Sequence, residues 1–153
     1  MTPPDRTDEF CRTCAAESRF ADLPPRERIV HDADWRVAHA YGTALPGWLV
    51  LVPRRHVTAV HDLTDAEAAA LGIWQVALSR ALREVTGCAK TYVVQFAEAD
   101  GFRHVHFHIV PRAADLPEAR RGVGVFAFLR RPETEQVSAE HADLLAHALR
   151  ARL

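Results

Sequence analysis

The chain has 153 residues, of which 48% are hydrophobic and 25% charged, and its formal net charge is −1. This composition is typical of one folded domain, and the near-neutral charge argues against a nucleic-acid partner. No apolar run reaches the ~20 residues of a membrane span. Because the N-terminus also lacks the basic and apolar parts of a signal peptide, we expect a cytoplasmic protein.

The residues before position 10 are polar and contain two prolines, which predicts a flexible tail at 1–9 ahead of a single domain over 10–153. Along that domain, five short apolar or alternating runs bounded by Pro, Gly or Asp predict β-strands. They are residues 28–31, 35–39, 48–52, 91–96 and 104–110.

Two helices are predicted between and after these strands. Thr64 and Glu67 have the spacing of a capping box, and apolar residues at helical spacing continue to about Thr86. Residues 112–136 are rich in Arg, Gly, Pro and Glu and predict a long loop, and a final helix is expected over 137–152. This order predicts an α+β fold, with an antiparallel sheet of about five strands, a long central helix and a C-terminal helix.

Three histidines stand at alternate positions of the last predicted strand: His104, His106 and His108. Because side chains alternate across a strand, all three are expected on one face, each about 6.6 Å from the next. The apolar residues between them would face the core.

Imidazole is suited to nucleophilic and acid–base catalysis near neutral pH. A neutral imidazole nitrogen can attack phosphorus when the other ring nitrogen keeps its proton on a hydrogen-bond acceptor. Two other interpretations remain open at this point. The histidines could be the exposed polar face of an edge strand, or they could be three ligands of one metal ion in a hydrolase.

The segment from His104 to Val110 resembles the histidine triad (HIT) family, whose pattern His-φ-His-φ-His-φ-φ it fits at all seven positions. Pro111 and Arg112, which follow, are also common there. Upstream, residues 46–56 are similar to the strand of that family and its Pro-Lys-x-His turn. The resemblance covers roughly residues 10–112 and implies a HIT-like fold.

The resemblance implies hydrolysis or transfer of nucleotidyl groups through a covalent nucleotidyl-histidine. Candidate substrates are nucleoside phosphoramidates, phosphate esters and dinucleotide polyphosphates. The nucleophile would be His106, and His104 and His108 would support it at the phosphate. Gln95 occupies about the place of a family Asn that contacts the phosphate or the leaving group. Arg103 could add positive charge there or could be a solvated side chain. The family also implies a homodimer with sheets joined across the interface.

The pair Cys11 and Cys14 is by itself open to a redox, structural or incidental interpretation. Thiolate and imidazole together are typical ligands of structural zinc. Zinc-bearing HIT proteins that resemble this chain use four positions that correspond here to Cys11, Cys14, His56 and His104. Such an ion would hold the histidine segment in place and remove His104 from proton transfer. No organic cofactor is expected.

The chain departs from the HIT pattern at two positions. Trp48 stands where many members have a His that joins the relay near the nucleophile, which predicts impaired catalysis or a different leaving group. Ala40 lies near the position of an Asp that holds the ribose hydroxyls. These departures define the alternative function, a non-catalytic zinc-stabilised module that binds a nucleotide or a partner. A metal-dependent hydrolase that uses the three histidines as ligands is the third hypothesis.

Overall fold

The computed structural model describes residues 10–153, so the predicted tail at 1–9 lies outside the described residues. The helices are α1 (Arg12–Ser18), α2 (Asp65–Thr86) and α3 (Ala139–Arg150). The strands are β1 (Val30–His31), β2 (Trp35–His39), β3 (Leu49–Pro53), β4 (Lys90–Val94) and β5 (Phe107–Arg112). Within residues 10–153, no helix is both long enough and apolar enough to cross a membrane.

The five strands form one antiparallel sheet in the order β1-β2-β3-β5-β4. Strands β3 and β5 are therefore direct neighbours, and Val50 on β3 lies opposite His108 on β5. β4 lies at one edge of the sheet. The predicted α+β fold with a five-stranded antiparallel sheet is confirmed.

Side-chain alternation divides the sheet into two faces of different character. One face packs against α2 and α3 and forms the main core, with these buried residues: Trp35, Val37, Leu49, Leu51, Leu78, Leu82, Phe107, Ile109 and Leu149. The residues that alternate with them on the strands, including Ala38, Val50 and His108, face a cavity on the other side. The sheet thus separates a conventional core from the candidate site.

The ends of α2 agree with the sequence prediction. The Thr64 hydroxyl accepts a hydrogen bond from the backbone N–H of Glu67, and the Glu67 carboxylate accepts one from the backbone N–H of Thr64. Gly87 ends the helix with φ +70°, in the left-handed region that favours glycine.

The predicted strand at 104–110 is wrong in its bounds, because β5 begins at Phe107 and continues to Arg112. The backbone N–H of Val105 donates to the carbonyl of Val57, outside the sheet ladder, at 2.7 Å. His104 and His106 therefore precede the strand, and the three histidines do not share one strand face. Val105 and Phe107 do pack in the main core, as expected.

The segment after β5 returns over the cavity side of the sheet. Residues Gly122–Phe128 form a 3₁₀ helix, and Val125 is buried there against Trp48 and Val110. Phe126 packs against the same cluster. This second small core closes one end of the cavity.

The capping box of α2 yields a stability prediction. Thr64→Ala removes the hydroxyl that accepts the Glu67 N–H, so we expect the free energy of unfolding to fall by about 1 kcal/mol. Urea unfolding measures the change. Thr58→Ala, at an exposed position outside helices, is the control and should change stability by less than about 0.5 kcal/mol. Equal effects of the two substitutions would contradict the importance of the cap.

Candidate active site and metal centre

A cavity of about 840 Å³ lies on the face of the sheet opposite α2. Its floor is apolar, because small and β-branched residues of β2 and β3 point into it, including Ala38, Val50 and Val52. His106 and His108 lie on its wall. Three phenylalanines and a tyrosine also line it: Phe96, Phe102, Phe126 and Tyr41. A cavity of this size and apolar character can enclose a nucleotide-sized ligand.

Charged side chains of both signs line the same cavity. The basic residues are Arg12, Arg36 and Arg130, and the acidic residues are Glu98 and Asp100. Arg36 is buried, and its Nε lies 3.3 Å from a carboxylate oxygen of Glu17 on α1. The excess of positive side chains suits an anionic ligand.

His106 is held in one tautomer by its own backbone. Its Nδ1–H donates to the carbonyl oxygen of His104 at 2.8 Å, so the ring proton lies on Nδ1 and the lone pair lies on Nε2. Burial lowers the pKa of His106, against the hydrogen bond to the carbonyl, which raises it. A neutral ring with a free Nε2 lone pair is the form that can attack phosphorus.

His108 is held in the opposite tautomer by Trp48. The indole N–H of Trp48 donates to Nδ1 of His108 at 3.0 Å, so the proton of a neutral His108 lies on Nε2. Burial and the neighbouring His106 lower the pKa of His108 to about 4. His108 is therefore neutral at physiological pH.

The two rings are neighbours, with centroids 4.9 Å apart and planes at 83°. Within residues 10–153, neither Nε2 atom forms a hydrogen bond, and both rings line the cavity. The wall thus presents a lone pair on His106 next to an N–H donor on His108. His106 can therefore bond to phosphorus while His108 donates a hydrogen bond to a phosphate oxygen beside it.

His104 lies in a different place from the other two histidines. The structure puts its ring in a cluster with Cys11, Cys14 and His56, whose candidate ligand atoms all lie within 4.8 Å of one another. Cys14 Sγ lies 3.3 Å from His56 Nδ1 and 3.6 Å from His104 Nδ1. The cysteine pair belongs to the start of α1, where the Cys11 thiol caps the helix by accepting the backbone N–H of Cys14.

The donor set of this cluster fits a tetrahedral zinc ion. His104 donates its Nε2–H to the carbonyl of Pro53 at 2.7 Å, which leaves the Nδ1 lone pair directed at the thiols. A metal-binding histidine is commonly oriented in this way by a hydrogen bond from its other nitrogen. Burial and the neighbouring Cys11 raise the pKa of the Cys14 thiol to about 11, because both disfavour the thiolate. A bound cation would stabilise that thiolate.

The two predicted substrate-binding residues are next to cavity-lining residues in the chain but do not line the cavity themselves. Gln95 and Arg103 are not among the residues that line the cavity, and Arg103 lies 3.8 Å from the Asp100 carboxylate. Their predicted contacts with substrate stay predictions.

Sequence reasoning missed two residues of the cavity wall, Arg36 and Phe126, and the contact of Trp48 with His108. The alternation of Arg36 with Ala38 on β2 could have indicated the first. Nothing local in the sequence indicates that Phe126 approaches the histidines.

The family model of the HIT domain matches residues 24–115, which is more than half of the chain. The chain belongs to the HIT family. The matched region contains the three histidines and His56, whereas Cys11 and Cys14 precede it.

Solved structures of HIT proteins are similar to the chain over most of its length. A histidine triad protein from Bradyrhizobium japonicum is 26% identical, with a TM-score of 0.67 and coverage of 82% of this chain and 88% of that one. A zinc-bound histidine triad family protein from Mycobacterium smegmatis is 23% identical, with a TM-score of 0.64 and coverage of 91% and 92%. A hypothetical histidine triad nucleotide-binding protein from Sulfolobus tokodaii is 16% identical, with a TM-score of 0.69 and coverage of 93% and 91%.

Comparison with the curated proteins gives no match. The match to the HIT domain model supports a nucleotide-binding HIT-type protein in general.

Proposed function

We propose that the chain is a HIT-type nucleotidyl hydrolase or transferase that acts through a covalent nucleotidyl-histidine on His106. The observation that carries this proposal is the pair of opposite tautomers on the cavity wall. His106 offers the Nε2 lone pair, and His108 offers an Nε2–H donor beside it.

The first step forms a bond between His106 Nε2 and phosphorus and breaks the bond from phosphorus to the leaving group, which departs with the electron pair. The Nδ1–H of His106 keeps its proton and its hydrogen bond to the carbonyl of His104, which stabilises the positive charge of the phosphorylated ring. His108 donates a hydrogen bond from its Nε2–H to a phosphate oxygen or to the departing oxygen. Arg12 and Arg36 add positive charge to the cavity that receives the phosphate.

The second step transfers the nucleotidyl group to water. The oxygen of water bonds to phosphorus, the N–P bond breaks, and the electron pair returns to His106 Nε2. One proton of the water remains on the phosphate product and the other passes to solvent. In a transfer reaction, another nucleophile takes the place of water.

The non-catalytic alternative has one observation in its favour. Ala40 lines the cavity, and no residue of β2 presents a carboxylate there to hold a ribose. The enzyme is favoured because the Nε2 lone pair of His106 faces the cavity beside an N–H donor, which is the arrangement that nucleophilic attack requires. The third hypothesis, a metal bound by the three histidines, is not supported, because within the described chain His104 joins the cysteines and His56.

We further propose that Cys11, Cys14, His56 and His104 hold a structural zinc ion. The fit of the donor set and the zinc-bound relative support this proposal. Zinc would crosslink α1 to the segment that leads into β5 and thereby hold the His104 carbonyl, on which the tautomer of His106 depends.

We also propose that the chain is a homodimer joined at the β4 edge. An edge strand presents unpaired backbone groups that a second copy can pair. Beside it, on the side of the sheet that carries α2, three large apolar side chains are exposed: Ile73 (71%), Val76 (49%) and Val93 (44%). An exposed apolar group of this kind favours burial against another chain.

The covalent mechanism is tested with His106→Asn. We expect turnover of adenosine phosphoramidate or a diadenosine polyphosphate to fall by about three orders of magnitude or more, because the nucleophile is removed. Rapid quenching and intact mass spectrometry of the parent should show an acid-labile nucleotidyl adduct, which the variant lacks. His61→Asn, at an exposed histidine away from the cavity, is the control and should behave as the parent. Turnover by His106→Asn at the parental rate would rule the mechanism out.

The zinc proposal is tested with Cys14→Ser. We expect about one zinc per chain in the parent and a large loss in the variant, measured by elemental analysis. Chelation should lower the thermal midpoint of the parent by roughly 5–10 °C and have little effect on the variant. Cys88→Ala, at a buried cysteine of the main core, should retain the metal. A parent purified without zinc and insensitive to chelation would contradict the proposal.

The dimer proposal is tested with Val93→Asp. A charge at the β4 edge should disfavour association, so light scattering should give twice the chain mass for the parent and the single-chain mass for the variant. Val123→Asp, at a side chain 82% exposed on the segment after β5, is the matched control and should remain dimeric. A monomeric parent at micromolar concentration would refute the proposal.

A further inference from the structure

Trp48 and His108 form a buried hydrogen-bonded pair at the edge of the cavity. Trp48 is fully buried, its indole N–H lies 3.0 Å from His108 Nδ1, and the two rings meet edge to face at 89°. The indole nitrogen can only donate a hydrogen bond and does not titrate. Nδ1 of His108 is therefore the acceptor of this hydrogen bond.

The surroundings of Trp48 hold this pair in place. The backbone N–H of Gly47 donates to Nε2 of the buried His39 at 3.1 Å, and the backbone N–H of Ala40 donates to the Trp48 carbonyl at 2.8 Å. Phe126 packs edge-on against Trp48 and His108, with centroid distances of 5.5 and 5.4 Å. Neither ring can rotate away without disrupting the second core.

This arrangement limits the chemistry of His108. A neutral His108 can donate a hydrogen bond from Nε2, but releasing that proton would leave a buried imidazolate. A second proton on Nδ1 would clash with the indole N–H. The low pKa of His108, caused by burial and by His106, agrees with this limit. His108 is therefore a hydrogen-bond donor and not a general acid.

The rest of the cavity wall offers no replacement for a general acid. Its other ionisable side chains, within residues 10–153, are Arg12, Arg36, His39, Tyr41, Glu98, Asp100 and Arg130. Arginine does not release its proton, and Glu98 and Asp100 are exposed to solvent. His39 uses both nitrogens in hydrogen bonds to backbone, and the Tyr41 hydroxyl donates to Glu27.

We propose that Trp48 restricts the enzyme to substrates whose leaving group departs as a weakly basic anion, namely phosphoanhydrides and aryl phosphate esters. This inference rests on the proposed function. When His106 attacks such a substrate, the P–O bond breaks and the oxygen leaves with the electron pair and needs no proton. His108 hydrogen-bonds to that oxygen and keeps its own proton. An amine or an alkoxide leaves only after protonation, so nucleoside phosphoramidates and alkyl esters are poor substrates. Trp48 is thus a positioning residue that sets leaving-group specificity.

The first experiment uses the parent chain and compares different leaving groups attached to the same adenylyl group. We expect kcat/KM for diadenosine tetraphosphate and for the p-nitrophenyl ester to exceed that for adenosine phosphoramidate and for an alkyl ester by about 10²–10⁴-fold, which is the typical contribution of a general acid. In Trp48→Phe, Nδ1 of His108 is free to take a proton, and the ratio should shrink by about tenfold or more. A ratio near one in the parent would overturn the proposal without any variant.

The second experiment reads the tautomer directly. Long-range ¹H–¹⁵N correlation spectra of the parent should show His108 with an unprotonated Nδ1 and a protonated Nε2, and Trp48→Phe should show a mixture of tautomers. The matched control is Trp35→Phe, because Trp35 is equally buried but donates its indole N–H to Glu67 O at 3.1 Å on the other face of the sheet. That control should leave both the His108 spectrum and the leaving-group ratio unchanged.

The outcomes separate this inference from the function on which it rests. Turnover of all leaving groups at similar rates, or a protonated Nδ1 in the parent, contradicts the role of Trp48 and leaves the His106 mechanism standing. Absence of both turnover and adduct with every substrate, in a folded protein with the expected tautomer, contradicts the proposed function and the specificity together.

Discussion

The hydrogen bonds of His104 are the constraint on which the site depends. Its ring donates to the carbonyl of Pro53 at the end of β3, and its other nitrogen faces the thiols of α1. Its backbone carbonyl accepts a hydrogen bond from the Nδ1–H of His106. Because both of its ring nitrogens and its carbonyl have partners, His104 links the cysteine cluster to the ring of His106. His106 lines the cavity, whereas His104 does not.

The three histidines of one motif thus have three different environments. His104 lies among candidate metal ligands. A backbone carbonyl determines the tautomer of His106, and an indole N–H determines that of His108. Identical side chains acquire different protonation patterns because the group opposite Nδ1 differs in each case. The departure from the HIT pattern at Trp48 matters for catalysis, because an imidazole that can gain and lose a proton is replaced by an indole that cannot.

The sheet supplies the geometry for this division. Its α2 face is filled by large apolar residues and supports the strands as a rigid layer, whereas small residues such as Ala38 on the opposite face leave space for a ligand. The segment after β5 completes that space by placing Phe126 against both Trp48 and His108. A buried charge, Arg36, is tolerated at the cavity because Glu17 lies beside it.

The sequence by itself determined the features that depend on neighbouring residues. The capping box and glycine end of α2, the antiparallel α+β fold, the apolar face of the histidine segment and the histidine pattern could all be predicted, because they follow from local hydrogen bonds and periodicity. The resemblance to HIT proteins also identified the four residues of the cysteine–histidine cluster, although spacing alone left the role of the cysteine pair open.

Only the tertiary structure decided where β5 begins and which histidine faces what. His104 leaves the sheet because its ring bonds to Pro53 and lies against residues of α1, about 90 positions earlier in the chain. The Trp48 contact with His108 spans 60 positions and exists because β3 and β5 pair in one particular register. Such contacts are set by strand pairing and by the packing of both faces, which no local pattern of residues encodes.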